Sequence, residues 1–301
     1  SNPTEREREG IAHRRDSVEP MQTTNDGIGH QELEDGHYDG MFKDGKRNGP
    51  GKYVYKNGDV YEGEYLNDLR HGRGKETLSD GEVYEGEFVN DRRCGKGVQI
   101  LANGDRYEGE FKDDAREGKG LYTFSNGDST EGYFVNDMRN GFCVEVLSNG
   151  DRYEGDFVDD MKNGYGVEIL ATGDRYEGEF LNDMRNGKGI ETLSNGNVYK
   201  GDFVNDVKSG FGTLTLANGN SYEGDFKDDV PHGKGVGTYT NGDRFEGSFF
   251  RGYRHGRGVR YFADGDCFQG VWQKGVRDGK GVYISADGRR QECEFRNGEL
   301  L

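Results

Sequence analysis

Long apolar stretches are missing from this sequence. Only 31% of its 301 residues are hydrophobic, whereas 32% are charged. A membrane-spanning helix needs about 20 predominantly apolar residues in a row, and a globular domain with a deep core usually has a larger apolar fraction. The composition therefore predicts a chain that neither spans a membrane nor builds a thick, multi-layered core.

Cysteines are few, and acidic residues outnumber basic ones. The four cysteines, Cys94, Cys143, Cys267 and Cys293, show no spacing typical of a metal site, so we expect reduced thiols and a cytoplasmic location. Lysine and arginine number 40 against 57 acidic residues, which gives a formal net charge of −17. Phosphate binding needs a basic surface, so we expect no nucleic-acid partner.

The sequence is dominated by a repeat of 23 residues without insertions. With Tyr176 as position 1, one unit reads Y-E-G-E-F-L-N-D-M-R-N-G-K-G-I-E-T-L-S-N-G-N-V. Eleven full units and a truncated twelfth begin at Tyr38, Tyr61, Tyr84, Tyr107, Thr130, Tyr153, Tyr176, Tyr199, Tyr222, Phe245, Phe268 and Gln291. Most of the 52 glycines occupy positions 3, 12, 14 and 21, so they serve backbone geometry rather than a flexible linker. A fixed period of this length predicts one array of stacked supersecondary units.

Each unit has the pattern of two short β-strands. Positions 1–5 and 14–18 alternate with period two, positions 7–12 are turn-forming, and positions 20–21 are Asn-Gly or Asp-Gly in nearly every unit. Tight turns make consecutive strands antiparallel. We therefore predict an all-β fold: an elongated, single-layer antiparallel β-meander of 23-residue hairpins, twisted into a trough.

An odd period requires that one connection in each unit has an odd number of residues or a bulge. We expect the Asn-Gly connection to be the odd one, which places Tyr176 opposite Leu193 and Phe180 over Gly189, across a six-residue loop at positions 7–12. The alternative, an odd first loop, would pair Phe180 with Ile190.

One face of the predicted sheet carries the aromatic residues of positions 1 and 5, and the other carries the acids of positions 2 and 4. A single layer has no second sheet to cover the rings, so they stack on one another or contact another chain. We predict that they line a concave groove for a helix or loop of a partner protein. The candidate groove residues are Tyr61, Tyr65, Tyr84, Phe88, Tyr107, Phe111, Tyr153, Phe157, Tyr176, Phe180, Tyr199, Phe203, Tyr222 and Phe226.

The two ends of the chain differ from the middle. Residues 1–26 are charged and polar and lack the apolar core of a signal peptide, so we expect a disordered tail. Residues 27–37 resemble half a unit and predict a capping strand at about 29–34, before the array of residues 38–301. In the fifth unit, Thr130, Tyr133 and Cys143 depart from the pattern, which indicates a bend, a private contact or ordinary drift.

Residues 244–301 are more basic than the rest, with eleven basic and eight acidic residues. A candidate basic patch for lipid or a partner consists of Arg251, Arg254, Arg257, Arg260, Arg289 and Arg290. The terminal strand near Phe295 has an open edge, which predicts a homodimer through the C-terminal repeats.

The unit resembles the MORN (membrane occupation and recognition nexus) repeat, whose pattern is Y-E-G-E-F, then N-D-x-R-N-G-x-G, an apolar position and N-G-D. The resemblance extends from Tyr38 to the end of the chain, although most units have aspartate at position 8 where the family usually has glycine. It implies a β-hairpin array used as a scaffold in ciliary, cytoskeletal or membrane-associated assemblies. In some such arrays a partner helix or loop lies in the trough, and some are thought to touch phospholipid.

Residues that could carry chemistry have simpler structural interpretations. The loop histidines His71, His232 and His255 are spaced too far apart to share a metal, since adjacent units lie about 10 Å apart. Acidic pairs such as Asp113-Asp114 have no calcium-loop spacing and favour turns. The recurring Gly-x-Gly pairs lack the helix of a phosphate cradle, and the glutamates of positions 2 and 4 form a solvated stripe that position-10 bases such as Arg70 balance. We therefore predict no catalytic residue, no metal and no cofactor.

The sequence predicts a non-enzymatic scaffold or adaptor that binds partner proteins in its groove, in a cytoskeletal, ciliary or membrane-cortex assembly. Two alternatives remain at this point. One is a module that binds phosphoinositide or another anionic phospholipid through the basic C-terminal repeats, and the other is a regulatory subunit of a separate enzyme.

Overall fold

A computed structural model describes residues 25–301 and shows an all-β protein. The described residues form 25 strands and no helix, and they divide into two compact units, residues 25–115 and 116–301. The expected disordered tail, residues 1–26, lies almost wholly outside the described residues.

The strands alternate between seven and nine residues through most of the chain. Up to residue 112 they are β1 (Gly27–Leu33), β2 (Gly36–Lys43), β3 (Lys46–Tyr55), β4 (Val60–Leu66), β5 (Leu69–Thr77), β6 (Val83–Val89), β7 (Arg92–Ile100) and β8 (Arg106–Lys112). From residue 115 they are β9 (Ala115–Thr123), β10 (Ser129–Val135), β11 (Met138–Val146), β12 (Arg152–Val158), β13 (Met161–Ile169), β14 (Arg175–Leu181), β15 (Met184–Thr192), β16 (Val198–Val204), β17 (Val207–Thr215), β18 (Ser221–Lys227), β19 (Val230–Thr238), β20 (Arg244–Phe250), β21 (Tyr253–Tyr261), β22 (Cys267–Gln273), β23 (Val276–Ile284), β24 (Arg290–Arg296) and β25 (Glu299–Leu300).

Consecutive strands pair antiparallel from β1 to β8 and again from β9 to β25. Each set forms one open layer of hairpins with the 23-residue period. The prediction of a single-layer β-meander is therefore confirmed.

The first turn of each unit is tighter than predicted. In the seventh unit Leu181 pairs with Met184, so Asn182 and Asp183 alone form the turn, with φ of 49° and 68°. Two consecutive positive φ values are typical of a type I′ hairpin turn, and asparagine and aspartate tolerate this region better than most residues. The expected six-residue loop was wrong because position 8 is an aspartate that accepts this conformation.

The remaining residues of the expected loop are absorbed by a bulge. Gly178 pairs with Gly189 and Phe180 with Arg185, so one residue between these pairs on β14 is matched by three on β15. Tyr176 is opposite Glu191 rather than Leu193. The predicted pairs were wrong in both versions of the register.

The Asn-Gly connection does have an odd number of residues, as expected. In the seventh unit Thr192 pairs with Val198 of the next unit, which leaves a five-residue loop that includes Gly196 with a φ of 89°. The first turn is even and the second connection is odd, so the unit keeps its faces constant despite the odd period.

A strand also lies before the first full unit. β1, Gly27–Leu33, pairs antiparallel with β2 along its length, where the half-unit predicted a strand at about 29–34. Just before it, Asn25 and Asp26 accept hydrogen bonds from the amides of Gly45 and Asp44.

Carboxylates join successive units at the first turn. The Oδ1 of Asp160, at position 8, accepts a hydrogen bond of 2.9 Å from the backbone amide of Arg139 in the preceding unit. The amide of Asp160 donates in return to the carbonyl of Arg139, at 3.0 Å. The same aspartate contact recurs at Asp68, Asp91, Asp114, Asp137, Asp183, Asp206 and Asp229. Position 8 is therefore an inter-repeat link, and the last units, with Gly252, Gly275 and Gly298 there, keep the backbone bond without the carboxylate.

A second carboxylate joins the units at the Asn-Gly loop. The Oδ1 of Asp151, at position 22, accepts a 2.7 Å hydrogen bond from the amide of Ala171 in the next unit. This bond holds the pKa of Asp151 below its ordinary value. Asn197 accepts the equivalent bond from Ala217 at 2.9 Å, so the site needs an acceptor oxygen rather than a charge.

Candidate functional site

The tyrosine of position 1 lies flat on two glycines. A Cβ on Gly189 would come within 2.5 Å of the Tyr176 ring, and one on Gly178 would come within 2.7 Å of its hydroxyl. The Tyr176 hydroxyl donates to the carbonyl of Glu179 at 3.0 Å. Ring packing on bare glycine was expected, but the ring belongs to position 1 and not to position 5.

The rings of positions 1 and 5 form a continuous ladder that joins successive repeats within each of the two compact units. Tyr176 meets Phe180 of its own repeat and Phe203 of the next, edge to face, with ring centroids 5.1 Å apart in both pairs. Edge-to-face pairs contribute about 0.5–1.5 kcal/mol each beyond the area they bury. Burial raises the pKa of Tyr176 to about 12. The ladder is therefore the core of this single layer.

Side chains of the same face cover the ladder. The Arg185 guanidinium lies 5.5 Å from the Tyr176 ring centroid and 5.6 Å from that of Phe203. Its Nη1 is 2.8 Å from a carboxylate oxygen of Glu191, and its Nε is 3.3 Å from that of Asp206. At position 10, Arg70 and Arg139 repeat both ion pairs, with partners at positions 16 and 8, and Lys162 repeats the pair with position 16.

The predicted aromatic groove is therefore not an open surface. The fourteen candidate residues, Tyr61 to Phe226, are all buried, with at most 7% of any side chain exposed. The rings cover one another by stacking, and the position-10 cations cover the rest of their surface. A partner would therefore meet the covering side chains and not the rings. The expected pairing of these cations was also wrong, because Arg70 contacts Glu76 and Asp91 instead of the acids of positions 2 and 4.

The fifth unit keeps this core by a compensated exchange. Thr130 stands where most units have a tyrosine, and Cys143 stands where they have the glycine beneath that ring. Both side chains are buried, and the Cys143 thiol lies 3.6 Å from the carbonyl of Tyr133, the group that the tyrosine hydroxyl contacts elsewhere. Of the three interpretations of this unit from the sequence, the private contact matches the Cys143–Tyr133 contact.

An open groove lies on the opposite face of the sheet, within the compact unit of residues 116–301. It has a volume of about 1730 Å³ and runs from β17 to the end of the described chain. Apolar side chains from five successive repeats line it, including Phe211, Val236, Val259, Tyr261 and Val271. Phe211 is 53% exposed and Tyr261 is 40% exposed.

Sequence reasoning missed these groove residues although a signal was present. They lie mainly at positions 13, 15 and 17 of the unit, which alternate on the same face as positions 2 and 4. Phe142, Tyr165 and Phe211 are aromatic residues at position 13, and each is more than half exposed. Large aromatic residues at a position where most units have lysine or arginine could have indicated a contact surface.

The six arginines of the candidate basic patch do not form one surface. Arg254 packs 4.5 Å from the Trp272 ring and donates to the Gly275 carbonyl, on the aromatic face. Arg260 pairs with Asp243 on that same face. Arg257 and Arg290 line the groove, Arg251 follows β20 in a turn, and Arg289 pairs with Asp287 in a loop. The structure thus distributes this group over both faces and two connections.

The other candidate groups also take structural roles. Asp114 accepts the Arg93 amide, and the position-4 carboxylate of Asp202 accepts the Phe211 amide at 3.0 Å, inside the bulge. Over residues 25–301, no three histidine, cysteine or acidic side chains are arranged to hold a metal ion. The same residues include no helix with the length and apolarity needed to cross a membrane.

Comparison with solved structures gives only low overlap. The TCP domain of SAS-4 (dCPAP) of Drosophila melanogaster, in complex with a proline-rich motif of Ana2 (dSTIL), has a TM-score of 0.33 and 15% identity, over 52% of this chain and 85% of that one. The TCP10 domain of Danio rerio CPAP has a TM-score of 0.25 and 9% identity, over 80% and 98%. A virginiamycin B lyase from Staphylococcus aureus has a TM-score of 0.15 and 12% identity, over 89% of each chain. These scores carry no argument about function.

The family comparison is specific. No curated protein matches the chain. The MORN repeat model, in contrast, matches eleven consecutive segments, residues 38–60, 61–83, 84–106, 107–129, 131–152, 153–175, 176–198, 199–221, 222–244, 245–267 and 268–289. Their boundaries follow the 23-residue period of the hairpins. The chain therefore belongs to the MORN repeat family.

Proposed function

We propose that this MORN repeat protein is a non-enzymatic scaffold. It holds a segment of a partner protein in the groove of the compact unit formed by residues 116–301. The observation that carries the proposal is the groove itself, in which exposed apolar side chains from five repeats face one space. Contiguous exposed apolar surface with a polar border is typical of interaction sites.

The size of the groove favours a polypeptide over a small molecule. Pockets for small ligands usually have volumes of about 300–1,000 Å³ and enclose most of the ligand. This groove is larger, about 1730 Å³, and extends across strands β17 to β24. Eight strands at about 4.8 Å spacing span about 34 Å, which is the length of a helix of roughly 20 residues.

The use of the carboxylates supports a structural role rather than catalysis. Aspartates at positions 8 and 22 accept backbone amides of neighbouring units, and acids at position 4 accept amides in the bulge. The glutamates of position 16 pair with position-10 cations. Acids with these fixed partners recur in unit after unit, so no pair of them is singled out as a reaction centre.

Family membership supports a setting in a cytoskeletal, ciliary or membrane-cortex assembly. The distribution of the C-terminal arginines does not favour the alternative of phospholipid binding, because Arg254 and Arg260 are held against rings and carboxylates on the aromatic face. A flat membrane surface would also contact a convex or planar patch more readily than a groove.

Photo-crosslinking tests the proposal. A benzoylphenylalanine placed at Phe211 or Tyr261 is expected to form one discrete adduct with a protein in a cell extract. Phe124 is a matched control, because it is a 40% exposed aromatic residue in the same structural unit that does not line the groove. The adduct partner, identified by mass spectrometry and purified, should bind the wild-type protein and lose at least tenfold in affinity with Phe211→Asp.

Two results would overturn the groove assignment. One is an adduct from Phe124 that equals those from the groove positions. The other is unchanged affinity of the purified partner for Phe211→Asp when circular dichroism shows that the variant is folded.

A further inference from the structure

The groove differs from the rest of its face in charge. On this face, position 13 of each unit lies directly opposite position 4 of the next. Where position 13 is basic, position 4 is usually acidic: Arg73 is opposite Glu87, Lys96 opposite Glu110, and Lys188 opposite Asp202. With Lys280 opposite Glu294, four of the seven basic residues at position 13 in the described chain lie opposite an acid.

Two neighbouring units in the groove lack this carboxylate. Lys234 is opposite Ser248, and Arg257 is opposite Val271. Gln269 replaces the usual acid of position 2 next to them, opposite Val259. Three acidic positions have therefore become neutral or apolar in one patch of a chain with a net charge of −17.

The cations left in this patch are exposed and lack ion partners. Within the described residues, neither Lys234 nor Arg257 has a carboxylate oxygen within 4.0 Å of its charged group. The Lys234 ammonium donates only to the Ser248 hydroxyl, at 3.2 Å. Asp225 is close to Lys234, but it accepts the backbone amide of that residue. The lining also includes further cations and the carboxylates Glu223, Glu246, Glu292 and Glu294. Arg244 pairs with Glu246 and Lys280 lies opposite Glu294, so Lys234 and Arg257 are the position-13 cations of the groove that have no acid opposite them.

Given the proposed scaffold role, we infer that the partner segment is acidic and amphipathic, with carboxylates that meet Lys234 and Arg257 and apolar side chains that pack on Phe211, Tyr261 and Val271. The attraction between the partner's carboxylates and these cations acts locally, because physiological salt screens charges over about 8 Å. A partner carboxylate placed over Ser248 and Val271 would meet these two cations directly, because no acid of the chain lies opposite them.

Apolar side chains separate this site from a simple anion site. Val271, which replaces the acid opposite Arg257, is 37% exposed and lies in the groove. The exchange removes a competing carboxylate and supplies an apolar contact at the same place. A free phosphate would use only the cations, whereas an amphipathic peptide uses both.

Two probe peptides of about 20 residues test the inference. They share the same leucine positions, and one has glutamate and the other lysine at every polar position. Fluorescence anisotropy is expected to give tighter binding of the glutamate peptide, by about tenfold at physiological salt, with affinity that falls as salt increases. Vesicles of phosphatidylcholine and phosphatidylserine serve as the third ligand and should not bind.

Variants that restore the usual acids provide the sharpest comparison. Ser248→Glu with Val271→Glu gives the groove the charges that other units have at position 4, so folding should persist while binding of the glutamate peptide falls about tenfold. Lys234→Gln with Arg257→Gln should have a similar effect. Tyr133→Glu introduces the same acid at position 4 outside the groove and should leave binding unchanged.

The inference is wrong if the lysine peptide binds as tightly as the glutamate peptide, if the vesicles bind through Lys234 and Arg257, or if Tyr133→Glu weakens binding as much as the groove variants. It is equally wrong if neither peptide binds. In each case a crosslinked partner that depends on Phe211 would still support the scaffold proposal, so the two failures are distinguishable.

Discussion

The Cys143 thiol occupies the place of a missing tyrosine hydroxyl, 3.6 Å from the carbonyl oxygen of Tyr133. In the seventh unit the Tyr176 hydroxyl contacts the carbonyl of Glu179, also at position 4, from a ring that lies on Gly189. The fifth unit has exchanged both partners at once, since Thr130 is small and Cys143 fills the space above the strand. The two exchanges are coupled because a tyrosine and a position-14 side chain cannot share this volume.

A double-mutant cycle tests this coupling. Thr130→Tyr alone should destabilise the protein by about 1–3 kcal/mol, because the ring would overlap Cys143. Cys143→Gly alone leaves a cavity and an unmet carbonyl, at a cost on the order of 1–2 kcal/mol. The double variant restores the common pattern and should lie near wild type. The midpoint of urea unfolding, followed by circular dichroism, gives the ranking, and additive effects of the two exchanges would contradict the coupling.

A second prediction concerns the carboxylate link at the first turn. Asp160→Gly keeps the positive φ of 67° but removes the acceptor for the Arg139 amide, so we expect a loss of about 0.5–1.5 kcal/mol. Asp160→Asn keeps an acceptor oxygen and should remain within about 0.5 kcal/mol of wild type. Hydrogen exchange at the Arg139 amide measures the effect locally. Equal protection in the glycine and asparagine variants would show that the link adds nothing.

The repeat and the strand order could be predicted because glycine and aromatic residues fix the period. The register could not, because two different turn solutions satisfy an odd period equally well. The decisive fact is that Asn182 and Asp183 both adopt positive φ, which tightens the turn to two residues and moves the surplus into a bulge at Gly187. Turn-forming composition alone does not distinguish a two-residue turn from a longer loop.

The error about the groove follows from the register. The bulge places position 10 directly opposite position 5, so Arg185 lies over the rings, whereas the expected register left it in a loop. The alternation with period two identified the aromatic face correctly. The spacing of residues in the sequence did not show that the position-10 side chains cover that face. The open surface was therefore expected on the wrong face.

A third prediction concerns stability in acid. Hydrogen bonds from the amides of Ser148, Ala171 and Ser194 lower the pKa values of Asp128, Asp151 and Asp174, at position 22. A lowered folded-state pKa contributes stability that is complete above the unfolded value of about 3.9 and is lost as the pH falls through the folded value. Wild type should therefore lose thermal stability as the pH falls from about 5 to 2.

Asparagine at the three positions should flatten that pH profile, because Asn197 and Asn220 already accept the equivalent bond without a charge. The thermal midpoint between pH 2 and pH 7 is the measurement. A triple control replaces Asp113, Asp159 and Asp228 with asparagine, which other units use at position 7, and should keep the wild-type profile. If both triple variants give the same curve, the position-22 bonds are not the source of the acid sensitivity.

The last prediction concerns alkaline pH and the tyrosine ladder. Burial raises the pKa values of Tyr176 and Tyr199 to about 12, and each hydroxyl donates to a carbonyl oxygen at 3.0 Å. A raised folded-state pKa contributes stability that is complete below the unfolded value of about 10 and is lost as the pH rises through the folded value. Core tyrosinate absorbance should therefore appear together with loss of the circular dichroism signal between about pH 10 and 12.

Tyr176→Phe with Tyr199→Phe should unfold at higher pH than wild type, although it loses about 0.5–1.5 kcal/mol per hydrogen bond at neutral pH. Phe245 and Phe268 show that this position accepts phenylalanine. Ionisation of the core tyrosines without any change in circular dichroism would mean that the ladder does not hold the layer together.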